Sequence, residues 1–155
     1  MKRMLIVATV LTLITLIAVP AMAQVNDIIE LARTAFRVEK KVVFAENMWM
    51  SEDEAEAFWP VYNEYEAELS KINDRVLKAL KEYAATFDTL TDAQAKTMVE
   101  ESFSVRTEKI SLRKSYAKKF GKVIPQKKVF RFFQLEYAIE SLINFSIAAD
   151  LPYME

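Results

Sequence analysis

A single glycine, Gly121, occurs in this chain of 155 residues. Chains that form sheets need tight turns, and glycine, proline and asparagine are the residues that supply them. After residue 23, the only prolines are Pro60, Pro125 and Pro152. The scarcity of these residues predicts an all-α fold.

The first 23 residues carry the pattern of a secretory signal peptide. Lys2 and Arg3 precede an apolar run over residues 4–19, and the segment ends in the small-residue sequence Ala-Met-Ala. This pattern predicts cleavage after Ala23 and export of residues 24–155 as a single all-helical domain. A retained membrane anchor is the alternative, because the apolar run is only a few residues shorter than a bilayer requires.

Composition argues against enzyme chemistry and against most cofactors. The chain has no histidine and no cysteine, which removes the usual general base, the thiol nucleophile and the preferred soft metal ligands. One glycine cannot build a phosphate-binding loop. We therefore expect no enzyme activity, no cofactor and no metal. The formal net charge of −1 gives no reason to expect a nucleic acid as partner.

Two helix starts can be read from capping boxes, in which a serine or threonine is followed three residues later by Glu or Gln. Ser51 with Glu54 forms one, and Thr91 with Gln94 forms the other. They predict helices over about 52–86 and 92–121. The connection between them is short, so the two helices should pack as an antiparallel hairpin.

An apolar seam and a charge pattern both support this hairpin. Bases dominate residues 106–131, whereas residues 45–68 contain acids and no base. Folding the chain back about residue 89 places the two stretches side by side. The predicted seam of the first helix recurs at spacings of three and four and comprises Phe58, Tyr62, Tyr65, Leu69, Ile72, Val76, Ala79, Tyr83 and Phe87.

Further helices should flank the hairpin. Residues 25–46 carry a broad apolar stripe, and residues 129–149 are apolar on nearly every side. The latter segment is predicted to be either the most buried helix or an association surface. Pro60 lies well inside the first long helix, where it predicts a kink near Trp59 or a separate short helix before it.

The chain resembles the Spy and CpxP family of periplasmic proteins over residues 45–135. Residues 90–94, LTDAQ, match the LTxxQ motif of that family, and residues 50–54, MSEDE, differ from it by chemically close substitutions. The resemblance implies a long bent hairpin that pairs into a cradle-shaped dimer. It also implies either an ATP-independent chaperone that holds clients on its concave face or a restraint on an envelope-stress sensor.

The first functional hypothesis follows from this resemblance. It is that the protein is a periplasmic, ATP-independent chaperone that binds partly folded proteins. A non-enzymatic stress regulator docking on an envelope sensor protein is the second, and a structural helical adaptor is the third. A homodimer that pairs through helix surfaces near residues 129–147 is expected, because a thin hairpin buries little apolar area alone.

Eight basic residues are the candidate contacts to clients or partners, with weak attraction to a membrane surface as an additional expectation. The alternative is that they only neutralise the acids of residues 45–68. The large aromatic residues Trp49, Phe58, Trp59, Phe132 and Phe133 could bind clients, although burial in the core is the commoner role of such residues. The eight bases are Arg106, Arg113, Lys114, Lys118, Lys119, Lys127, Lys128 and Arg131.

Overall fold

A computed structural model describes residues 40–153, and the regular structure in this part of the chain is entirely helical. The all-α prediction is confirmed. The predicted signal peptide and the part of the predicted helix 25–46 that precedes Lys40 lie outside the described residues. The helices are α1 (Lys40–Asn47), α2 (Glu52–Thr86), α3 (Asp92–Phe120) and α4 (Gln126–Asp150), with a 3-10 turn at Phe87–Thr89 between α2 and α3.

Both predicted capping boxes are present. The Ser51 hydroxyl accepts from the backbone N–H of Glu54 at 3.3 Å, and the Glu54 carboxylate accepts from the Ser51 N–H at 2.8 Å. Thr91 and Gln94 make the equivalent pair at 3.3 and 2.9 Å. These reciprocal bonds satisfy backbone donors that have no partner within the helix. They explain why α2 and α3 begin where the sequence predicted.

α2 continues through Pro60 without a break. The separate short helix considered from the sequence therefore does not form. At 35 residues and ~1.5 Å per residue, α2 is about 50 Å long. It is the helix against which the other three pack.

α2 and α3 lie side by side and antiparallel. The rings of Phe58 and Phe120, which are equidistant in sequence from residue 89, stack with centroids 5.1 Å apart. The ion pair between Glu64 and Lys119, at 3.2 Å, is offset by five residues from a pairing that is symmetric about residue 89. Long side chains tilt toward the N-terminus of their own helix. Two side chains that meet across antiparallel helices therefore belong to residues that lie further toward the C-terminal end of each helix than the residues directly opposite each other.

Aromatic rings from all four helices meet at the end of the bundle that holds the α3–α4 connection. Phe120 of α3 lies 4.6 Å from Phe132 of α4, and Phe44 of α1 lies 4.8 Å from Phe132. Phe58 and Tyr65 of α2 contact the same rings. Each of these side chains is fully buried. This aromatic cluster is the centre of the hydrophobic core.

The opposite end of the bundle is held by fewer contacts. There Leu77 of α2 packs against Ile143 and Ile147 of α4 in a second, smaller cluster. The Tyr83 hydroxyl donates a hydrogen bond of 2.6 Å to the carbonyl of Pro152. The C-terminal half of α4 is thus attached to α2.

Replacement of Thr91 by alanine tests the second capping box. We expect Thr91→Ala to lower the free energy of unfolding by about 1 kcal/mol, because the Gln94 N–H loses its acceptor. The measurement is urea denaturation followed by far-UV circular dichroism. Thr97→Ala is the matched control: its hydroxyl bonds only to the Ala93 carbonyl within the same helix, and alanine is the better helix former. Equal losses in the two variants would contradict a specific role for the cap.

Candidate functional site

A buried ammonium group connects α1 to α2 and α4. Lys40 Nζ lies 3.1 Å from Glu136 Oε1 and 3.2 Å from Glu66 Oε1. Lys40 is 6% exposed and Glu136 is 2% exposed. The Tyr65 hydroxyl donates to the same Glu136 oxygen at 3.2 Å. Burial raises the pKa of Glu66 above its ordinary value, although the charge of Lys40 opposes the rise.

Sequence reasoning did not identify this network. Its signal was an acid, Glu136, within the most apolar stretch of the chain, and a lysine, Lys40, within the apolar stripe of residues 25–46. Buried charges of this kind are paired in folded proteins because an unpaired charge costs several kcal/mol, on the order of the total stability. The network fixes how the helices are aligned, and we assign it a structural role.

A second group of charges connects α3 to α4. Glu140 lies 3.1 Å from Lys109 Nζ and 2.7 Å from Arg113 Nη2. Burial alone would raise the pKa of Glu140, but the charges of Lys109 and Arg113 outweigh it and hold the pKa below its ordinary value. Arg113, one of the predicted client contacts, therefore lies within the bundle.

Three more of the eight predicted bases also make contacts within the chain. Lys119 pairs with Glu64 and lies 4.1 Å from the centre of the Tyr116 ring. Lys128 forms an ion pair with Glu54 and so lowers the pKa of that carboxyl. The Arg131 guanidinium stacks 3.7 Å above the Trp49 ring. Neutralisation of the acidic stretch thus accounts for Lys119 and Lys128.

The remaining four bases are exposed. Arg106, Lys114, Lys118 and Lys127 form no ion pair or hydrogen bond within residues 40–153. Three of them lie on α3 and one lies near the start of α4. These four can contact a partner without breaking an interaction inside the bundle.

The three free bases of α3 share its outward side with apolar residues. Val99, Phe103 and Ile110 are 55%, 61% and 53% exposed. Residues at spacings of three and four lie on one side of a helix, so these residues and the bases form one continuous surface. We call it the outer stripe, and it comprises Val99, Phe103, Arg106, Ile110, Lys114 and Lys118.

The sequence pattern predicts only one apolar seam on α3, and Val99, Phe103 and Ile110 lie outside it. The predicted stripe of α3 comprised Met98, Ser102, Val105, Leu112, Tyr116, Phe120 and Val123. The structure buries Val105, Leu112, Tyr116 and Phe120 of this set and leaves Ser102 exposed. The spacing of Val99, Phe103 and Ile110 could have revealed the second apolar surface.

α4 is buried on one side only. Val129, Phe132 and Ile143 face the core, whereas Phe130, Tyr137, Leu142 and Phe145 are exposed. Of the two predicted roles, the most buried helix or an association surface, the exposed side of α4 favours the second. Four large exposed apolar side chains on one helix are typical of an association surface. We refer to these four residues as the outer side of α4.

The five aromatic residues considered as client contacts are either packed in the core or exposed. Phe58 and Phe132 are fully buried, and Trp59 and Phe133 are half-buried against the core. Trp49 is exposed, with a φ of 47° in the connection between α1 and α2. Arg131 covers its ring. The core therefore accounts for the aromatic residues other than Trp49.

Comparison with protein-family models, with curated proteins and with solved structures found no match. The resemblance to the Spy and CpxP family therefore stays a prediction. Between residues 40 and 153, no helix has the length and apolar character needed to cross a bilayer. In the same part of the chain, no three acidic, histidine or cysteine side chains are grouped so that they could hold a metal ion.

Replacement of Lys40 by methionine tests the buried network. The variant leaves Glu66 and Glu136 close together without an ammonium group, so we expect a loss of about 3–5 kcal/mol at neutral pH. Without Lys40 the already raised pKa of Glu66 rises further. The folded state then binds protons more readily than the unfolded state, and the loss should shrink as the pH falls toward the ordinary pKa of a glutamate. Denaturation at several pH values measures this.

Lys41→Met is the matched control for Lys40. Lys41 is exposed and makes a cation–π contact with the Trp59 ring at 5.0 Å. Its replacement should cost less than about 1 kcal/mol, with little dependence on pH. Similar losses and similar pH profiles for the two variants would show that the buried network does not stabilise the fold.

Proposed function

We propose that this protein is an exported, periplasmic chaperone of the ATP-independent type, and that it holds partly folded proteins on the outer stripe of α3. The observation that carries the proposal is the mixture of exposed apolar side chains with bases that have no partner among the described residues. Phe103 lies one turn from Arg106, and Ile110 lies one turn from Lys114. This surface contributes little to the core of a single chain.

The mixture suits a chaperone that works without nucleotide. Such a protein must release its clients spontaneously, so the apolar contact area has to be modest. Charges accelerate the encounter with a client and make it depend on salt. An apolar surface without charge would aggregate with its clients, and a charged surface alone would not recognise partly folded chains.

The sequence supports export and the chaperone class independently of this surface. The signal-peptide pattern of residues 1–23 favours the periplasm, and the LTxxQ motif at residues 90–94 resembles that of the Spy and CpxP family. The same resemblance favours a dimer. The outer side of α4 provides an apolar surface on which a second copy of the chain would pack.

Charge reversal on the outer stripe tests the client site. We expect Lys114→Glu combined with Lys118→Glu to weaken protection of an aggregating client and to reduce its salt dependence, because encounter loses its electrostatic attraction. The helicity should not change, since both residues are exposed and unpaired among the described residues. Light scattering of an unfolded client at low and high salt measures the effect.

The control for this experiment is Lys71→Glu combined with Lys81→Glu, two exposed positions on α2 with the same change in charge. The control should protect clients more strongly than the stripe variant. Equal protection by wild type and stripe variant at low salt would exclude the outer stripe as the client site. Saturable binding of one sensor domain, without protection of unrelated clients, would favour the regulator instead.

The proposed dimer is tested on α4. Leu142 is 69% exposed, so the Leu142→Glu variant should fold. It should be a monomer, because a charge buried at an interface costs several kcal/mol, on the order of the whole association free energy. Ala67→Glu, at an exposed position of α2, should leave the dimer intact. Analytical ultracentrifugation at micromolar concentration measures both. A wild type that sediments as a monomer would contradict the dimer.

A further inference from the structure

A small cavity lies among the charged side chains that connect the four helices. All four helices contribute to its wall, through Lys40 of α1, Asn73 of α2, Arg113 of α3 and Glu136 of α4. Its volume is about 10 Å³, and a cavity of about 10–15 Å³ holds one water molecule. Glu140 lines both this cavity and a larger apolar groove, of about 500 Å³, between α2, α3 and α4.

Two polar atoms in the wall of the small cavity are buried without a hydrogen-bond partner among the described residues. They are Asn73 Oδ1 and Arg113 Nε. Asn73 as a whole is only 7% exposed, so water outside the bundle does not solvate its amide. Buried polar atoms in folded proteins are nearly always hydrogen-bonded, either to protein or to internal water, because an unpaired one is costly. The occurrence of both atoms at one cavity indicates a shared partner inside it.

The neighbouring charged groups do not supply that partner. Arg113 Nη2 donates to Glu140 at 2.7 Å, and Glu140 also accepts from Lys109 at 3.1 Å. The Tyr65 hydroxyl interacts with the Arg113 guanidinium, but its proton goes to Glu136 at 3.2 Å. Among the described residues, no acceptor has hydrogen-bond geometry to Arg113 Nε. An acceptor for this nitrogen therefore has to occupy the cavity itself.

The two unpaired atoms require opposite properties of whatever lies between them. Arg113 Nε–H is a donor and Asn73 Oδ1 is an acceptor, so the shared partner must both accept and donate. Water does both. A halide ion has no proton to offer Asn73, and an ammonium or metal cation has no lone pair for Arg113. A larger polar molecule does not fit into about 10 Å³.

We propose that this cavity holds a single internal water molecule, which accepts a hydrogen bond from Arg113 Nε and donates one to Asn73 Oδ1. Internal waters make about three hydrogen bonds on average, and the carboxylate of Glu136 in the cavity wall is an acceptor for the second proton. The water then connects the Lys40–Glu136 network to the Arg113–Glu140 pair, and the two form one polar layer across the bundle. The site does not depend on the client-holding role of the outer stripe.

Nuclear magnetic resonance of the protein tests the proposal directly. We expect a cross-peak between water and Arg113 Hε that has the sign of the diagonal in NOESY and the opposite sign in ROESY, because an enclosed water tumbles with the protein. Exchange of Hε with solvent gives the sign of the diagonal in both. No peak, or a peak from exchange alone, would overturn the proposal. So would a saturable shift of the Hε resonance on addition of chloride, which would show that an anion occupies the cavity.

Replacement of Asn73 tests the position of the water. Asn73→Leu has a similar volume but no acceptor, so it should remove one long-lived water, as counted by oxygen-17 magnetic relaxation dispersion. Asn73→Asp keeps an acceptor oxygen and should retain the water, which keeps the test decisive if Asn73→Leu does not fold. Asn63→Leu, at an exposed position on the same helix, should leave the count unchanged.

Circular dichroism establishes that each variant is folded. Equal counts of long-lived water in wild type and folded Asn73→Leu would overturn the proposal, and so would loss of the water from folded Asn73→Asp.

Discussion

The stacking of aromatic rings from four helices at one end of the bundle determines where the rest of the molecule can open. Phe120 and Phe132 lie on either side of the short connection between α3 and α4, and their rings are 4.6 Å apart. Phe44 and Phe58 add rings from α1 and α2. Buried aromatic side chains of this size contribute several kcal/mol each, on the order of 3–5 when removed. Because this packing is concentrated at one end, the other end can hold a groove without loss of the fold.

The ion pairs between helices determine how the helices are aligned and where along α3 and α4 the groove begins. Lys40 with Glu136 aligns α1 with α4, and Glu140 with Lys109 and Arg113 holds α3 against α4. A buried ion pair adds little net stability compared with apolar residues of similar volume, but a mismatched alignment would leave a charge unpaired at a cost of about 3–5 kcal/mol. We infer that these pairs specify the alignment of the helices more than they stabilise it. Beyond Glu140, residues of α2, α3 and α4 line a groove.

The sequence predicted the helices well because their signals are local. The capping boxes at Ser51 and Thr91 act within three residues, and the register of the hairpin follows from the short connection and the seam. The surfaces could not be predicted in the same way. Arg113 is paired with Glu140 whereas its neighbour Lys114 is not. Glu140 is distant in sequence and approaches only after α4 has folded back, so the sequence around the two bases does not show which of them is free. The groove likewise is lined by residues of three helices that are distant in sequence, so it has no local signal.

The three sides of α3 have different environments, and this explains how one helix can serve several purposes. Leu112 and Tyr116 pack into the hairpin, Val105 and Arg106 line the groove, and Phe103 and Ile110 face outward. The inward residues stabilise the fold. The outward apolar residues add nothing to the core of a single chain and leave water in contact with apolar surface, which is unfavourable in proportion to its area. Contact with another molecule removes that penalty. The energetic reason for α3 to bind a partner is therefore present before any partner is identified.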